Sequence, residues 1–339
     1  MRIPLRSSYK WKSKGEEPLK ICLILEGCYP YVFGGVSTWM HQYINNMKEH
    51  EFILWVIGAN AKDRGKFVYE LPQNVTAVHE VFLDDALHVK ASGKMRHRFS
   101  KEETDSLREL MICGRPDWEV LFSLYQEKRL NPMSFLQSEA FLDILTKSCL
   151  THYPYIAFAD AFHTMRSMLL PVLYLLGTEV PKADVYHAIC TGYGGMLACL
   201  GGWMYRKKVL LTEHGIYTRE REEEIIRAKW VVPSFKKQWI SFFYMLSDII
   251  YRRAFQVTCL FTNAMHIQIQ MGCDAKKCRV IENGIHYERL SQIPLKQEDG
   301  WVDIGAVVRL APIKDIKTMI YAFFELSMRK KNVRLHIMG

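Results

Sequence analysis

The chain alternates short apolar runs with amphipathic stretches from residue 20 onward. The run KICLIL at 20–25 has the length of a buried strand, and so does FILWVIG at 52–58. Between them lies the turn EGCYPYVFGG at 26–35, and then a segment whose apolar residues recur at helical spacing: Val36, Trp39, Met40, Tyr43, Ile44 and Met47. This order of strand, glycine turn, helix and strand predicts a βαβ unit and hence an α/β fold with a parallel sheet.

The segment at about 84–165 has a different pattern. It is rich in charged residues and in helical periodicity, as at 102–112 and 117–130, and it has few strand signals. We interpret it as a helical insertion. The alternation then resumes. Strands are predicted at 184–189, 208–212 and 256–261, a strand and turn at 279–284, and helices at 194–204, 218–231, 234–254 and 263–272.

The pattern predicts two domains and a linker. A basic arm at 1–18 precedes a Rossmann-like domain at 19–290, and the polar segment SQIPLKQEDG at 291–300 is the predicted linker. The segment from 301 to 339 supplies one strand, one helix at 314–329 and a second strand. About forty residues cannot bury a core of normal size. We therefore expect the chain to be the front part of a longer protein, with its second domain incomplete.

Composition and charge are those of a globular protein. Of 339 residues, 49% are hydrophobic and 24% charged, which lies outside the disordered range. The net charge of +9 would suit nucleic acid, an anionic membrane surface or a phosphate-bearing ligand. Because basic residues are scattered among acidic ones, without the aromatic and basic stripe of a single-strand binder, the sequence disfavours nucleic acid.

The nine cysteines indicate a reducing compartment. Their number is odd, no pair has C-x-x-C spacing, and the N-terminus lacks the apolar core of a secretory signal. We therefore expect free thiols and a cytoplasmic location. The most apolar stretch, 185–205, carries His187 and five glycines, so a buried turn and helix explain it better than a membrane span.

The glycine turn Gly34-Gly35 is the first candidate binding element. Glycine allows a ligand to approach the backbone closely, and the helix that follows offers free N–H groups to an anion. A tight turn without a ligand is an equally good interpretation of these two residues alone. The turn matches neither the dinucleotide fingerprint nor the P-loop. A second glycine cluster, 192–195, likewise follows a strand and opens a helix.

Two cations and a histidine are the next candidates. Arg309 ends a predicted strand and Lys314 opens the following helix, a position that favours a diphosphate site over a solvated basic pair. His214 follows the strand KVLLT, where it could touch a substrate hydroxyl or serve the structure only. His187 lies in the middle of a strand, and we interpret it as structural.

Other signatures of chemistry are missing from the sequence. It has no D-x-D triplet, no H-E-x-x-H, no G-x-S-x-G and no Cys or His cluster with zinc spacing. We interpret the adjacent Asp84 and Asp85 as surface charge. No metal site is therefore expected.

Four segments together resemble family 4 of the retaining glycosyltransferases, which have the two-domain GT-B fold. They are EGCYPYVFGGVSTW at 26–39, TEHGIY at 212–217, VIENGI at 280–285 and VVRLAPIKDIKTMIYAF at 307–323. The resemblance extends from about Lys20 to Gly339 and is strongest to the cytosolic members of Pel-type exopolysaccharide synthesis. It implies two Rossmann-like domains with parallel sheets.

The resemblance also implies a role for each motif. Arg309 and Lys314 would hold the donor diphosphate. Gly34 and Gly35 would close under the donor phosphates and border the acceptor. His214 would touch and position the transferred sugar.

One part of the family's donor site does not occur in this sequence. The family also uses two glutamates spaced E-x7-E in its second domain, and that region would lie beyond Gly339. Glu119 and Glu127 have the same spacing, but they fall in the helical insertion and are interpreted as a coincidence. We expect this chain by itself to be inactive.

The implied activity is transfer of a sugar from a nucleotide donor, a UDP-sugar, to a growing exopolysaccharide. The diphosphate would be stabilised by cations and helix N-termini, so no metal and no further cofactor are expected. Two alternatives remain open. One is a non-catalytic GT-B subunit of a polysaccharide assembly. The other is a GT-B transferase with a lipid acceptor, peripheral at the inner face of the membrane and assisted by the basic arm.

Overall fold

A computed structural model describes residues 17–92, 97–285, 287–308, 310 and 314–339. The described residues up to Asn283 form one compact unit, and those from Gly284 form a second.

A seven-stranded parallel sheet organises the first unit, with strand order β3-β2-β1-β4-β5-β6-β7. Its strands are β1 (Lys20–Glu26), β2 (Glu51–Gly58), β3 (Val75–Phe82), β4 (Val185–Ala188), β5 (Lys208–Glu213), β6 (Gln256–Cys259) and β7 (Cys278–Val280). The helices of this unit are α1 (Gly35–Asn46), α2 (Lys101–Met111), α3 (Trp118–Gln126), α4 (Pro132–Leu136), α5 (Glu139–His152), α6 (Phe158–Leu176), α7 (Gly192–Tyr205), α8 (Tyr217–Arg227), α9 (Lys236–Arg253) and α10 (Thr262–Gln270). The predicted α/β fold with a parallel sheet is confirmed.

The central strands are apolar on both faces because helices cover both. In β1, Ile21, Leu23 and Leu25 join α1 in one core, whereas Cys22 and Ile24 join the helical insertion, α7 and α9 in the other. A strand buried on both faces reads as a continuous apolar run, and this explains why KICLIL and FILWVIG lack alternation. The two cores together hold the sheet and fix which residues reach its edges.

The insertion helices begin at residues that cap them. Ser100 and Glu103 form a reciprocal capping box at the start of α2. Asp117 accepts hydrogen bonds from the first N–H groups of α3, and Asn131 and Ser138 do the same for the next two helices. The sequence predicted helices here, but it did not predict β3, the edge strand that precedes them.

The apolar stretch at 185–205 consists of β4, a turn and α7. Within the described part of the chain, no helix is both long and apolar enough to cross a bilayer. All nine cysteines are free thiols; the sulfurs of Cys273 and Cys278 lie 3.4 Å apart.

The second unit is a β-α-β element, as predicted. It contains α11 (Tyr287–Leu290), β8 (Val302–Val307), α12 (Ile316–Arg329) and β9 (Val333–Met338), and its two strands are parallel. Asp303 on β8 accepts hydrogen bonds from Arg334 (2.7 and 3.1 Å) and lies 2.9 Å from His336 on β9. Apolar side chains remain open to solvent on this unit, including Val307 (80% exposed) and Phe324 (57% exposed).

Candidate functional site

A cavity of about 430 Å³ opens at the carboxyl edge of the first unit's sheet, between β1 and β4. The strand order reverses at this point, and in open α/β sheets ligands bind at such a reversal. The lining residues come from the carboxyl ends of β1 to β5, or from the residues just after them, and from α1, α7, α8 and α9: Glu26, Gly27, Cys28, Val36, Ile57, Gly58, Ala59, Leu83, Ile189, Cys190, Tyr193, Glu213, His214, Gly215, Tyr217, Glu220, Arg221 and Phe243.

Glu26, the last residue of β1, is the first feature of this cavity that the sequence did not predict. Its carboxylate accepts hydrogen bonds from the Tyr217 hydroxyl (2.9 Å), the Gly194 N–H (3.2 Å) and the Cys190 thiol (3.8 Å). Burial raises the pKa of this carboxyl. Because Gly194 lies in the first turn of α7, Glu26 already takes the place that an anionic ligand would have at this helix start.

The glycines of the second cluster are required by packing within the chain. A Cβ on Gly192, whose φ is +64°, would lie 2.4 Å from the Tyr217 ring. A Cβ on Gly195 would lie 2.8 Å from Ile250. These contacts explain the cluster without a ligand.

Gly34 and Gly35 have no such explanation. Gly34 precedes α1 with extended backbone (φ 173°), and no side chain caps the helix. Apart from the chain neighbours and the backbone of α1 itself, no heavy atom of the described residues lies within 4 Å of the Cβ that either glycine lacks. The helix start is therefore both uncapped and uncrowded, which leaves room for a ligand against its free N–H groups.

His214 lines the cavity directly after β5. Its ring lies edge-on to the Trp39 ring, with centroids 4.5 Å apart and an interplanar angle of 74°. Its Nε2 atom is buried and has no hydrogen-bond partner among the described residues. Burial lowers the pKa of this imidazole, so it is neutral near pH 7 and can donate or accept a hydrogen bond.

The turn that carries His214 is held by the preceding residue. Glu213 is 2% exposed and accepts hydrogen bonds from the Tyr251 hydroxyl (2.8 Å), the Gln268 amide (2.9 Å) and the Tyr217 N–H (3.1 Å). Burial raises the pKa of Glu213. We interpret this carboxyl as a positioning group, because donors from α8, α9 and α10 hold it in place.

A model of a protein family described as a domain of unknown function, DUF3492, matches residues 19–276. The chain belongs to the DUF3492 family. No curated protein matches it.

Among solved structures, this DUF3492 chain is similar to Anabaena HepE in complex with UDP and glucose, at 13% identity over 94% of this chain and 60% of HepE, with a TM-score of 0.43. A structure of Anabaena HepE with UDP-glucose matches at 11% identity over 95% of this chain and 69% of HepE, with a TM-score of 0.39. The chain thus spans less than two thirds of the first of these HepE structures.

Arg221 brings a cation to the cavity of this DUF3492 domain. It lies on α8, with its guanidinium carbon 5.3 Å from the centre of the Tyr217 ring and its Nη1 2.8 Å from Glu224. Its Nε is buried without a partner among the described residues. The sequence did not single it out because YTREREEEIIR reads as a solvated charged helix.

Of the two predicted diphosphate cations, the structure describes only Lys314, which belongs to the second unit. Arg309 lies outside the described residues. Lys314 is exposed just before α12, and the adjacent Asp315 caps this helix by accepting the Thr318 N–H at 3.3 Å. Asp315 has left-handed backbone (φ 44°), a conformation that favours glycine.

The remaining candidate carboxylates have partners of their own. Asp84 accepts the Ala61 N–H (2.8 Å) and Asp85 pairs with Arg64 (2.7 Å). Glu119 pairs with Arg253 (2.8 Å). Over the described ranges, no group of His, Cys, Asp and Glu side chains is arranged to hold a metal ion.

Proposed function

We propose that this chain is the acceptor-side domain and the start of the donor-side domain of a GT-B glycosyltransferase that uses a nucleotide-sugar. The observation that carries the proposal is the cavity at the strand reversal. There an unpartnered neutral imidazole, His214, and Val36 at the uncapped glycine start of α1 line one space. A neutral histidine suits a sugar hydroxyl, and a free helix start suits a phosphate.

Each candidate residue would have its own role in sugar transfer. In the first unit, the N–H groups after Gly34 and Gly35 would bind phosphate. In the second, Arg309 and Lys314 would hold the donor diphosphate, as the resemblance implies. His214 would position the transferred sugar. As the bond between the anomeric carbon and the phosphate oxygen breaks, negative charge grows on the diphosphate, and these donors would stabilise it without a metal.

The finer proposal follows the resemblance to family 4 and to the Pel-type enzyme PelF. The donor is a UDP-sugar and the acceptor a growing exopolysaccharide. Transfer retains the anomeric configuration: the acceptor oxygen bonds to the anomeric carbon on the face that the diphosphate leaves, and the hydroxyl proton passes to the leaving phosphate oxygen. The protein acts in the cytoplasm, at the membrane where polysaccharide-assembly subunits lie.

Binding of UDP and UDP-glucose, measured by calorimetry on the full-length protein, tests the donor site. Arg309→Ala and Lys314→Ala should each weaken binding roughly tenfold to a hundredfold, since each removes a charge-assisted contact of about 1.5–3 kcal/mol. Lys330→Ala, an exposed cation at the far end of α12, is the matched control. Unchanged affinity in both site variants would refute the assignment.

Transfer assays on the same protein separate the alternatives. Turnover that survives EDTA supports a metal-independent enzyme, whereas complete loss that Mn²⁺ restores would reveal a metal site. UDP-sugar binding without turnover would indicate a non-catalytic subunit. Turnover only with lipid vesicles would indicate a lipid acceptor.

A further inference from the structure

A second cavity, of about 390 Å³, lies on the face of the sheet that α1 covers, beside the helix. It shares no lining residue with the first cavity, and its volume is typical of a small-molecule site. Its walls are Trp39, Tyr43, His187, Leu210, Leu211, Thr212, Gln256, Thr258, Leu260, Ile281 and Glu282.

A chain of hydrogen bonds crosses three strands in this wall. The Thr258 hydroxyl donates to the Leu211 carbonyl (3.2 Å). With its one hydrogen on the Leu211 carbonyl, the Thr258 oxygen accepts from the Thr212 hydroxyl (2.7 Å). The Thr212 oxygen in turn accepts from Nε2 of His187 (2.8 Å).

With the hydrogen bonds running in this direction, His187 carries its hydrogen on Nε2. Burial, and next the charge of His214, lower the pKa of His187 to about 4, so the imidazole is neutral at physiological pH. With its hydrogen on Nε2, the ring presents Nδ1 as a bare acceptor. His187 is 5% exposed, and Nδ1 has no partner among the described residues.

An acceptor buried without a donor costs about 1–3 kcal/mol. The rest of the cavity indicates what would supply that donor. Trp39 and Tyr43 stack with centroids 5.1 Å apart and planes at 21°. The rest of the lining is mixed: Leu210, Leu260 and Ile281 are apolar, and Gln256 and Glu282 are polar. A ligand that fits must combine hydroxyl donors with apolar ring faces, and a sugar has both.

We propose that this cavity binds a sugar ring whose hydroxyl donates to Nδ1 of His187 and whose apolar face lies against Trp39 or Tyr43. Resting on the proposed function, we assign this ring to the polysaccharide acceptor. Trp39 supports this, because it lines this cavity and its ring contacts His214, which lines the first one. His187 would act as a specificity residue for a hydroxyl-bearing acceptor.

The test uses the full chain with ¹⁵N-labelled histidine and two probes, methyl β-D-glucoside and its N-acetylglucosamine counterpart. Saturable binding of either sugar should shift the Nδ1 resonance of His187.

Two variants of His187 separate the role of Nε2 from that of Nδ1. His187→Gln keeps a donor toward Thr212 but lacks the Nδ1 acceptor, and should weaken binding at least tenfold. His187→Asn places its amide oxygen near the Nδ1 position and should retain most of the affinity.

Each outcome decides one question. If neither sugar gives a saturable response while UDP still binds, the sugar cavity is refuted and the donor site stands. If the sugars bind through His187 but UDP does not, the cavity stands as a sugar site and the proposed transferase is refuted. A crystal grown with either sugar that shows only water on Nδ1 would also overturn the inference, as would equal affinities of the Gln and Asn variants.

Discussion

Glycine serves two different purposes at the helix starts and interiors of this molecule, and alanine substitutions should separate them. At Gly35 a methyl group meets empty space and replaces the flexible residue at the start of α1, so Gly35→Ala should leave the free energy of unfolding unchanged or raise it by up to about 1 kcal/mol. The same methyl would obstruct a phosphate, so UDP affinity should fall. Urea denaturation and calorimetry measure the two effects.

Gly201→Ala is the matched control within α7. Its Cβ would lie 2.3 Å from the Tyr186 ring, which is fully buried and held by a hydrogen bond from its hydroxyl to the Pro181 carbonyl (2.6 Å). Because that ring cannot withdraw, we expect a loss of about 1–3 kcal/mol. Equal stability of the two variants would contradict this account of the two glycine positions.

His187 should make the protein sensitive to mild acid. Its pKa is about 4 in the folded state against 6.5 for the free side chain, so the unfolded chain binds the proton first as the pH falls. The contribution of neutral His187 to the free energy of unfolding is complete above pH 6.5. It is lost progressively toward pH 4, by on the order of 3 kcal/mol. Burial also lowers the pKa of His214, so protonation of His214 on unfolding reduces stability over the same direction of pH change.

Urea unfolding of the wild type and of His187→Gln at pH 7.5, 6 and 5 isolates this contribution. The wild type should lose stability more steeply over this range than the variant. If the free energies of unfolding of the two proteins fall in parallel with pH, the pKa of His187 is not lowered by its burial.

At the scale of elements, the Glu26 carboxylate joins β1 to α7 and α8. Glu26→Ala would leave the Gly194 N–H and the Tyr217 hydroxyl without an acceptor, at a cost of about 1–3 kcal/mol. The emptied helix start should then accept a small anion. Inorganic phosphate should therefore raise the thermal midpoint of Glu26→Ala more than that of the wild type.

Glu26→Gln provides the control for this experiment. It keeps one acceptor oxygen and fills the same volume, so it should lose less stability and show no extra phosphate effect. If phosphate stabilises all three proteins equally, Glu26 does not occupy an anion position.

Sequence patterns predicted two kinds of element: strands that helices cover on both faces, and helices with one apolar and one polar side. β1, β2 and α1 belong to this class, as their apolar residues all enter a core. β3 was missed because it is an edge strand whose first six residues are not fully buried, so Thr76, His79 and Glu80 interrupt its pattern.

The candidate site was predictable only in part. His214 and the two glycines stand at strand ends and turns, which are positions that sequence reveals. Glu26 and Arg221 reach the cavity from a strand terminus and from a charged helix face, and only the tertiary arrangement distinguishes them from solvated residues. The roles of Arg309 and Lys314 stay predictions.

At the scale of the whole molecule, the second unit should be the first to yield to protease. Its described residues form two strands and one long helix, with apolar side chains exposed on strand and helix alike, and such a unit is marginal alone. Brief trypsin treatment should cut near Arg289 and Lys296, leaving a resistant species that contains the seven-stranded sheet. A chain that resists cleavage throughout would show that the second unit is as stable as the first.

The position of β1 beside β4 has a consequence for synthesis on the ribosome. Ile21 pairs with Val185, so one side of β1, which has five consecutive buried residues, lacks its neighbour until 164 further residues have been made. At about 5–20 residues per second, that interval lasts roughly 8–33 s. Throughout it the nascent chain presents KICLILE with an unpaired row of backbone groups, which is the kind of edge on which chains aggregate. Rapid folding of the helical insertion cannot close that edge, so the yield of soluble protein should depend on chaperones that shield it while translation continues.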